Sequence, residues 1–375
     1  MPDQRLSNAK RIVVKLGSNV ITAENSLNLT VMESISRQIS TLMDKGLEVI
    51  LVSSGAMAAG LRKMGLDRRP DEIPKRQAIS AIGQTEVMNT YEAEFGRFGK
   101  KVSQILLTGE DLNDRKRYLN ARNALYTLME WKVVPIVNEN DTVMVEEIKL
   151  GDNDNLAAMI TLLMDADFLF ILTDIDGLYD KDPRKYSNAR LIRRVTAFEE
   201  EIEEYASAIP GTLGTGGMLS KILAAKKVTS SGIPMIVARG DSPDILLRLF
   251  DRDRLGTYFI PKEEKMSSRK CWIAHTLRPR GNLILDWGAV RAVRKNGKSL
   301  LPSGILEVEG EFSQGEAVSL KDPDNKILAT GLVNYPADDI RLIKGLRTSQ
   351  IESCLGNKHY DEVVHRNNLV VLSDC

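Results

Sequence analysis

Four short runs in the first half of the chain are almost wholly apolar: 11–17, Glu48–Ser53, 133–137 and 168–172. Continuous rather than alternating apolarity marks strands covered on both faces, the habit of parallel sheets flanked by helices. Each run ends in glycine or short polar residues: Gly17, Ser53-Ser54-Gly55-Ala56, Asn138-Glu139-Asn140-Asp141 and Thr173-Asp174. Helical spacing is expected over 30–45 (with Gly46 placed to cap its end), 57–64, 74–98, 112–130, 156–164 and 222–230, with a further strand over 102–107. Strands alternating with helices along about the first 260 residues predict an α/β fold, a three-layer αβα sandwich on a mostly parallel sheet. Ligands of such sheets gather at the carboxyl ends of strands, where every one of these polar clusters falls.

The densest cluster lies between Val133 and Asn155. Asn138, Asn140 and Asp141 close a strand, and Gly151-Asp152-Asn153-Asp154-Asn155 opens a helix. Only nine residues, Thr142–Leu150, separate the two groups, and they read as a hairpin-like excursion. Short polar side chains so placed suit a ligand that carries both a cation and anions. Asn and Asp are also ordinary in turns and caps. Lys15 interrupts the first apolar strand, either as an edge or snorkelling residue or as a cation aimed past the strand end at phosphate. Ser53-Ser54-Gly55-Ala56 is an anion seat or a routine helix cap. Gly211 to Lys221 is a glycine-rich nest with a cation in the following helix, or a flexible loop. Its glycine spacing fits neither a P-loop nor a dinucleotide fingerprint. Arg115, Lys116, Arg117 and Arg122 read as a solvated helix face.

At 375 residues the chain is long for one hydrophobic core. The pattern changes near Pro261. The expected division is an α/β domain over 1–261, a polar linker over 262–275 and a small β-rich domain over 276–375, with strands at 282–286, 304–309, 317–320 and 326–330. Formal net charge is zero, and residues 276–375 hold 13 Lys/Arg against 13 Asp/Glu, so nucleic acid is not an expected partner. Cys271, Cys354 and Cys375 are odd in number and far apart, as in a reducing compartment. The amino terminus lacks an apolar signal segment, and no apolar run reaches membrane-spanning length. A cytoplasmic location without membrane association is expected.

The chemistry narrows by residue type. His275, His359 and His365 all lie outside the α/β domain, which leaves that domain without a histidine for a Ser-His-Asp triad or a zinc site. Two lysines, two anion-friendly helix starts and an Asp/Asn cluster suggest phosphoryl transfer. Phosphorylating a hydroxyl usually calls for a positioned base, whereas a carboxylate acceptor is already ionised at neutral pH. Alignment and charge neutralisation then suffice, and a carboxylate with ATP gives an acyl phosphate.

Val14-Lys15-Leu16-Gly17, Ser53-Ser54-Gly55-Ala56, Asn138-Glu139-Asn140-Asp141, Gly151-Asp152-Asn153-Asp154-Asn155 and Gly214-Thr215-Gly216-Gly217-Met218 occur in one fixed order. Together they resemble the amino acid kinase family, in particular its branch that phosphorylates glutamate. Gly288-Ala289, Ser299-Leu300-Leu301, Gly304-Ile305 and Gly310-Glu311-Phe312 look like a PUA domain, a small β-barrel-like module. The resemblance covers the chain from about Lys10 to His365. It implies transfer of phosphate from ATP to the γ-carboxylate of L-glutamate, the first step of proline biosynthesis. It also implies Lys15 and Lys221 as the cations that neutralise the phosphoryl oxygens, with Asp154 orienting them. Asp141 would meet the substrate ammonium, with Ser54 and Asn153 completing the pocket. Lys15, Thr173, Asp174, Thr215, Gly216, Gly217, Met218, Leu219, Ser220 and Lys221 would hold the nucleotide. Mg²⁺ would be held largely by ATP oxygens and water, with no dedicated protein cage. Feedback inhibition by proline, a homo-oligomer (dimer or tetramer) and transfer of product to glutamyl phosphate reductase are further family expectations. Ser220, where relatives often carry Thr, and Ser18-Asn19 depart from the family pattern without removing a charge. The rivals are an acetylglutamate, aspartate or carbamate kinase, an RNA-binding PUA protein, or a catalytically dead regulatory chain. Asp141 disfavours an acetylated amine, and both lysines with Asp154 disfavour a dead chain.

Overall fold

A computed structural model describes the chain except for residues 1, 24–25, 144–152, 199–201, 203, 206–216, 252, 262–269, 271–272, 274–276, 278 and 372–375. The chain divides into two compact units, Met1–Lys265 and Met266–Cys375. Of the expected linker at 262–275, only Lys270 and Ile273 are among the described residues, as is the case for little of the excursion at 142–150.

The first unit is built on an eight-stranded sheet. Its strands are β1 (Arg11–Leu16), β2 (Glu48–Ser53), β3 (Lys101–Leu107), β4 (Val133–Glu139), β5 (Phe168–Thr173), β6 (Arg194–Val195), β7 (Met235–Arg239) and β8 (Thr257–Phe259). They lie in the order β3-β4-β2-β1-β5-β7-β8-β6, and only the β7/β8 pair is antiparallel. The continuous apolar runs are the central strands, and all six residues of β5 are buried. From β1 the chain moves to β2 on one side, while β5 occupies the other side, so the crevice between β1 and β5 is a topological switch point. Open α/β sheets bind ligands at such a crevice.

The period of two along β1 sorts its residues between layers. Ile12, Val14 and Leu16 share a core with Met32, Ile35 and Ile39 of helix α1 (Leu29–Asp44). Helix α2 is Ala56–Lys63, and helix α3 (Ile73–Gly96) adds Tyr91 and Phe95 to the same core. Val13 and Lys15 therefore face the opposite layer. That layer contains α5 (Asn153–Leu163) and α6 (Met218–Ser230), which pack against each other. The result is the αβα sandwich, with one lysine carried into the second helical layer.

Local chemistry sets the element ends. Asn28 caps α1 by accepting from the Val31 amide at 3.3 Å, and Gly46 follows that helix with φ +93°. Gly55 adopts φ +98° at the turn from β2 into α2, and a Cβ there would come within 2.8 Å of Ile21 Cδ1. Only glycine fits that corner without strain. The single helix expected over 112–130 is instead a short turn, Gly109–Asn113, followed by α4 (Arg115–Glu130). Asp114 breaks them by accepting from the Arg117 amide at 2.8 Å, the side-chain competition that makes Asp a cap former.

The second unit holds a five-stranded sheet. Its strands are β9 (Gly281–Leu285), β10 (Ile305–Gly310), β11 (Ala317–Lys321), β12 (Ile327–Leu332) and β13 (Leu369–Val371), in the order β10-β9-β11-β12-β13. The β9/β11 pair is parallel and the others are antiparallel. Helix α7 (Trp287–Asn296) and the helix Ala337–Ile343 bury Val290, Val293, Ile340 and Ile343 against this sheet in a separate core.

Candidate active site

β1 delivers Lys15, the first turn of α5 delivers Asp154, and the first turn of α6 delivers Lys221. Both ammoniums pair with one carboxylate: Lys15 with Asp154 Oδ1, and Lys221 with Asp154 Oδ2 at 3.0 Å. Asp154 is fully buried, and the two lysines are each only 4% exposed. Lys15 is thus neither an edge nor a snorkelling residue. Ser220 Oγ donates to Asp154 Oδ2 at 2.7 Å and lies 2.8 Å from the Gly217 carbonyl, which Lys221 Nζ also approaches at 3.4 Å. Burial on its own would raise the Asp154 carboxyl. The Lys15 and Lys221 ammoniums override that and hold it well below the usual carboxylate range. The trio carries two positive charges to one negative. Two buried ammoniums gathered on one carboxylate favour an anion arriving beside the lysines.

Beside the trio, Asn153 knits three elements together. Its Nδ2 donates to Ser54 Oγ at 2.7 Å, to Asn138 Oδ1 at 3.0 Å and, more weakly, to the Ser53 carbonyl at 3.3 Å. Its own Oδ1 is buried with no hydrogen-bond partner among the described residues. Asp141, half-buried in a turn just past β4, accepts a hydrogen bond from Ser80 and feels the charge of Arg69. Burial nonetheless dominates and raises its carboxyl above the ordinary value. These groups offer a bare acceptor and a carboxylate, the surroundings an ammonium needs.

At the end of β5, Thr173 Oγ1 donates to Asp174 Oδ1 at 3.1 Å, and Asn19 Nδ2 donates to Asp174 Oδ2 at 2.9 Å. Burial opposes ionisation of Asp174, but these hydrogen bonds keep its carboxyl low. Met218 is buried and Leu219 is 40% exposed. Thr215 and Gly216 lie outside the described residues, as do Gly151, Asp152 and the glycine-rich stretch at 211–216. A cavity of about 390 Å³ lies past the ends of β5 and β7, lined in part by Asp176, Tyr179, Arg193 and Arg239. For magnesium, no cluster of three or more His, Cys, Asp or Glu among the described residues is placed to hold an ion. The donor set suits a cation that arrives with most of its ligands on phosphate oxygens and water.

The amino acid kinase family model matches residues 10–239, and the PUA domain model matches residues 281–355. The chain belongs to the amino acid kinase family. Among curated members of the family, the glutamate 5-kinase of Syntrophus aciditrophicus (strain SB) is 51% identical over 370 residues, 99% of this chain and 96% of the relative. That of Thermoanaerobacter sp. (strain X514) is 49% identical over 96% of this chain and 98% of its own length. That of Geobacter sulfurreducens (strain ATCC 51573 / DSM 12127 / PCA) is 50% identical over 98% of this chain and 99% of its own.

Several residues around the candidate site escape a reading of the sequence. Gln84 Oε1 accepts from Asn138 Nδ2 at 2.9 Å, and Tyr91 shares a 2.8 Å hydrogen bond with Ser53 Oγ. Burial raises the Tyr91 phenol, so it stays protonated. Lys227 on α6 donates to Asn155 Oδ1 at 2.6 Å, and burial pushes its ammonium down to about 8. The available signal for α3 was Ser80, Gln84 and Tyr91 in one helical register, a polar stripe that periodicity alone assigns to solvent.

Proposed function

We propose that the chain transfers the γ-phosphoryl group of ATP to the γ-carboxylate of L-glutamate, giving γ-glutamyl phosphate and ADP, in the cytoplasm. The observation that carries this reading is the convergence of Lys15 and Lys221 on buried Asp154. One γ-carboxylate oxygen forms a bond to the γ-phosphorus as the bond from that phosphorus to the ADP oxygen breaks. No proton moves, because the acceptor enters ionised. Lys15 and Lys221 face the charge that spreads over the phosphoryl oxygens, and Asp154 holds both ammoniums in place beforehand, so little reorganisation remains. Asp141 and the free oxygen of Asn153 receive the α-ammonium, and Ser54 closes the pocket. Thr173, Asp174 and the start of α6 from Gly217 to Lys221, with Thr215 and Gly216 before it, hold the nucleotide. Magnesium, when bound with ATP, would supply further neutralisation of the phosphoryl charge beside Lys15 and Lys221.

The near-full-length similarity to curated glutamate 5-kinases supports glutamate as the acceptor. The deciding experiment traps the acyl phosphate with hydroxylamine in the presence of ATP and Mg²⁺. Hydroxamate should form with L-glutamate and not with N-acetylglutamate, aspartate or carbamate. Formation with N-acetylglutamate alone would overturn the assignment. Proline added to the same assay should lower the yield.

A further inference from the structure

Three buried polar side chains of α3 each grip a different wall of the pocket. Ser80 donates to Asp141, Gln84 accepts from Asn138, and Tyr91 bonds with Ser53. Their spacing of four and then seven residues keeps them on one helical face. Ser80 is 4% exposed, Gln84 8% and Tyr91 fully buried. Close approach of α2 and α3 brings this face in: a Cβ on Gly83 would fall 1.8 Å from the Ala56 carbonyl oxygen, and one on Gly60 would fall 2.0 Å from that of Ile79. No other residue fits either position without moving a helix.

Donor and acceptor directions along this network are not interchangeable. The Glu139 amide donates to Asn138 Oδ1 at 2.9 Å, so the Asn138 NH₂ must point the other way, toward Gln84. Gln84 must then present its oxygen. The same Asn138 Oδ1 receives Asn153 Nδ2, whose remaining hydrogen goes to Ser54. Both side-chain N–H groups of Asn153 are thereby committed, and Oδ1 is left over as a buried acceptor with no partner among the described residues. An Asn153 turned the other way would present N–H groups to an ammonium and repel it.

We infer that Gln84 is a positioning and specificity-determining residue. By anchoring Asn138 it fixes Asn153 with its carbonyl oxygen free, and so makes the pocket select acceptors that carry an α-ammonium. This rests on the proposed function. It adds a residue that lies one hydrogen bond behind the pocket, on a helix that supplies none of the lysines.

The test compares L-glutamate with glutarate, which lacks the amino group, in the wild type, Gln84→Met and Gln84→Glu. The wild type should favour glutamate in kcat/KM. Gln84→Met keeps the length but lacks the acceptor, and should cut that preference by about tenfold through the glutamate KM. Its KM for ATP and its kcat should stay within about threefold of wild type. Gln84→Glu keeps an oxygen for Asn138 and should hold the preference within about threefold. A Met variant with unchanged preference, or a Glu variant that loses as much as the Met variant, overturns the inference. Should Gln84→Met not fold, Gln84→Glu decides alone, since retained preference supports the acceptor role and lost preference removes it. A wild type that phosphorylates neither acid sinks the proposed function and the inference with it. An active wild type with an insensitive Met variant sinks the inference only.

Discussion

Strand β1 carries a cation at each end, and the two are treated in opposite ways. At the amino end, Arg11 donates to Glu48 at 2.8 Å, to the Tyr126 hydroxyl at 3.0 Å and to the Met164 carbonyl. Asp167 accepts the Lys10 and Arg11 amides at 2.8 and 3.0 Å, and Arg122 meets Asp165 and the Leu163 carbonyl. The arginines there stack on Tyr126, 4.6 and 5.0 Å from its ring centre. Each arginine has its carboxylate, Arg11 with Glu48 and Arg122 with Asp165, and the cluster stays partly open to solvent. At the carboxyl end, Lys15 and Lys221 share the Asp154 carboxylate in a dry site, and the neighbouring Asn153 Oδ1 has no partner among the described residues. A cluster in which each cation has its own carboxylate fastens strands to helices. An unbalanced one is tolerated where a ligand completes it, and it carries a cost in stability.

The largest effect should come from Asp154→Asn, which strips both buried ammoniums of their counter-charge at once. The expected loss is about 10³-fold in kcat, together with about 3–5 kcal/mol of stability. Denaturant melts and steady-state kinetics measure the two. Added phosphate or nucleotide should restore part of the stability by supplying the missing negative charge. A kcat within tenfold of wild type would detach the trio from the chemistry. Asp154 titrates below the usual carboxylate range, so the stability it confers is present at neutral pH and is lost only as pH falls toward its depressed value.

Lys221→Met sharpens the contrast, because it removes one of two cations and leaves Lys15 and Asp154 as a one-to-one pair. Turnover should fall by about 10²- to 10³-fold. The glutamate KM should stay within about threefold, as befits a contact strengthened only in the transition state. Stability should change far less than in Asp154→Asn. Equal losses of stability in the two variants would mean that charge imbalance is not what distinguishes this end of the sheet.

Next in size is Asp141→Asn, expected to raise the glutamate KM by about 10- to 100-fold through loss of a charged hydrogen bond to the ammonium. Burial raises the Asp141 carboxyl, so folding favours its protonated form. Stability is therefore lost as pH climbs from the unfolded value through the raised one, and the Asn variant should melt no lower than wild type at neutral pH. Binding needs the carboxylate, so the wild-type glutamate KM should begin to climb on acidification sooner than an ordinary aspartate would allow. A pH-independent KM would remove Asp141 from the pocket.

The end proposed as the active site is the more legible of the two because its residues break local rules. Lys15 stands inside a strand that is otherwise apolar, and Asn153-Asp154-Asn155 opens an apolar helix, so each departs from its surroundings and draws attention. The strand order is harder to read, since the antiparallel pairing of β7 with β8 leaves no mark in composition. Gln84 and Tyr91 were hidden for a different reason. A polar residue on a helix is normally assigned to water, and only the backbone contact through Gly60 and Gly83 turns that stripe inward. The break at Asp114 shows the same limit, because a helical pattern on both sides masks a side chain that caps. The amino-end cluster was invisible altogether. Arg11, Glu48, Tyr126 and Asp167 are ordinary surface residues by type, and what unites them is the sheet register that sets Arg11 beside Glu48.

That register makes Arg11→Met the complement of the variants above, with the smallest expected effect on chemistry. Methionine can cover the apolar area of the arginine stem but cannot reach Glu48, Tyr126 or the Met164 carbonyl as a donor. The partly exposed ion pair with Glu48 contributes little alone. The loss should come mainly from the hydrogen bonds left unmade, about 1–3 kcal/mol, or roughly 2–10 °C in melting temperature for a unit of this size. Arg11→Lys should recover only part, because one ammonium cannot replace a planar fork that serves three acceptors. Both kcat and the two KM values should remain at wild-type levels, since Arg11 lies at the end of the sheet opposite the site. A tenfold fall in kcat with an unchanged melting temperature would show that the two ends of β1 are coupled, and that the separation of fastening from catalysis along this strand is wrong.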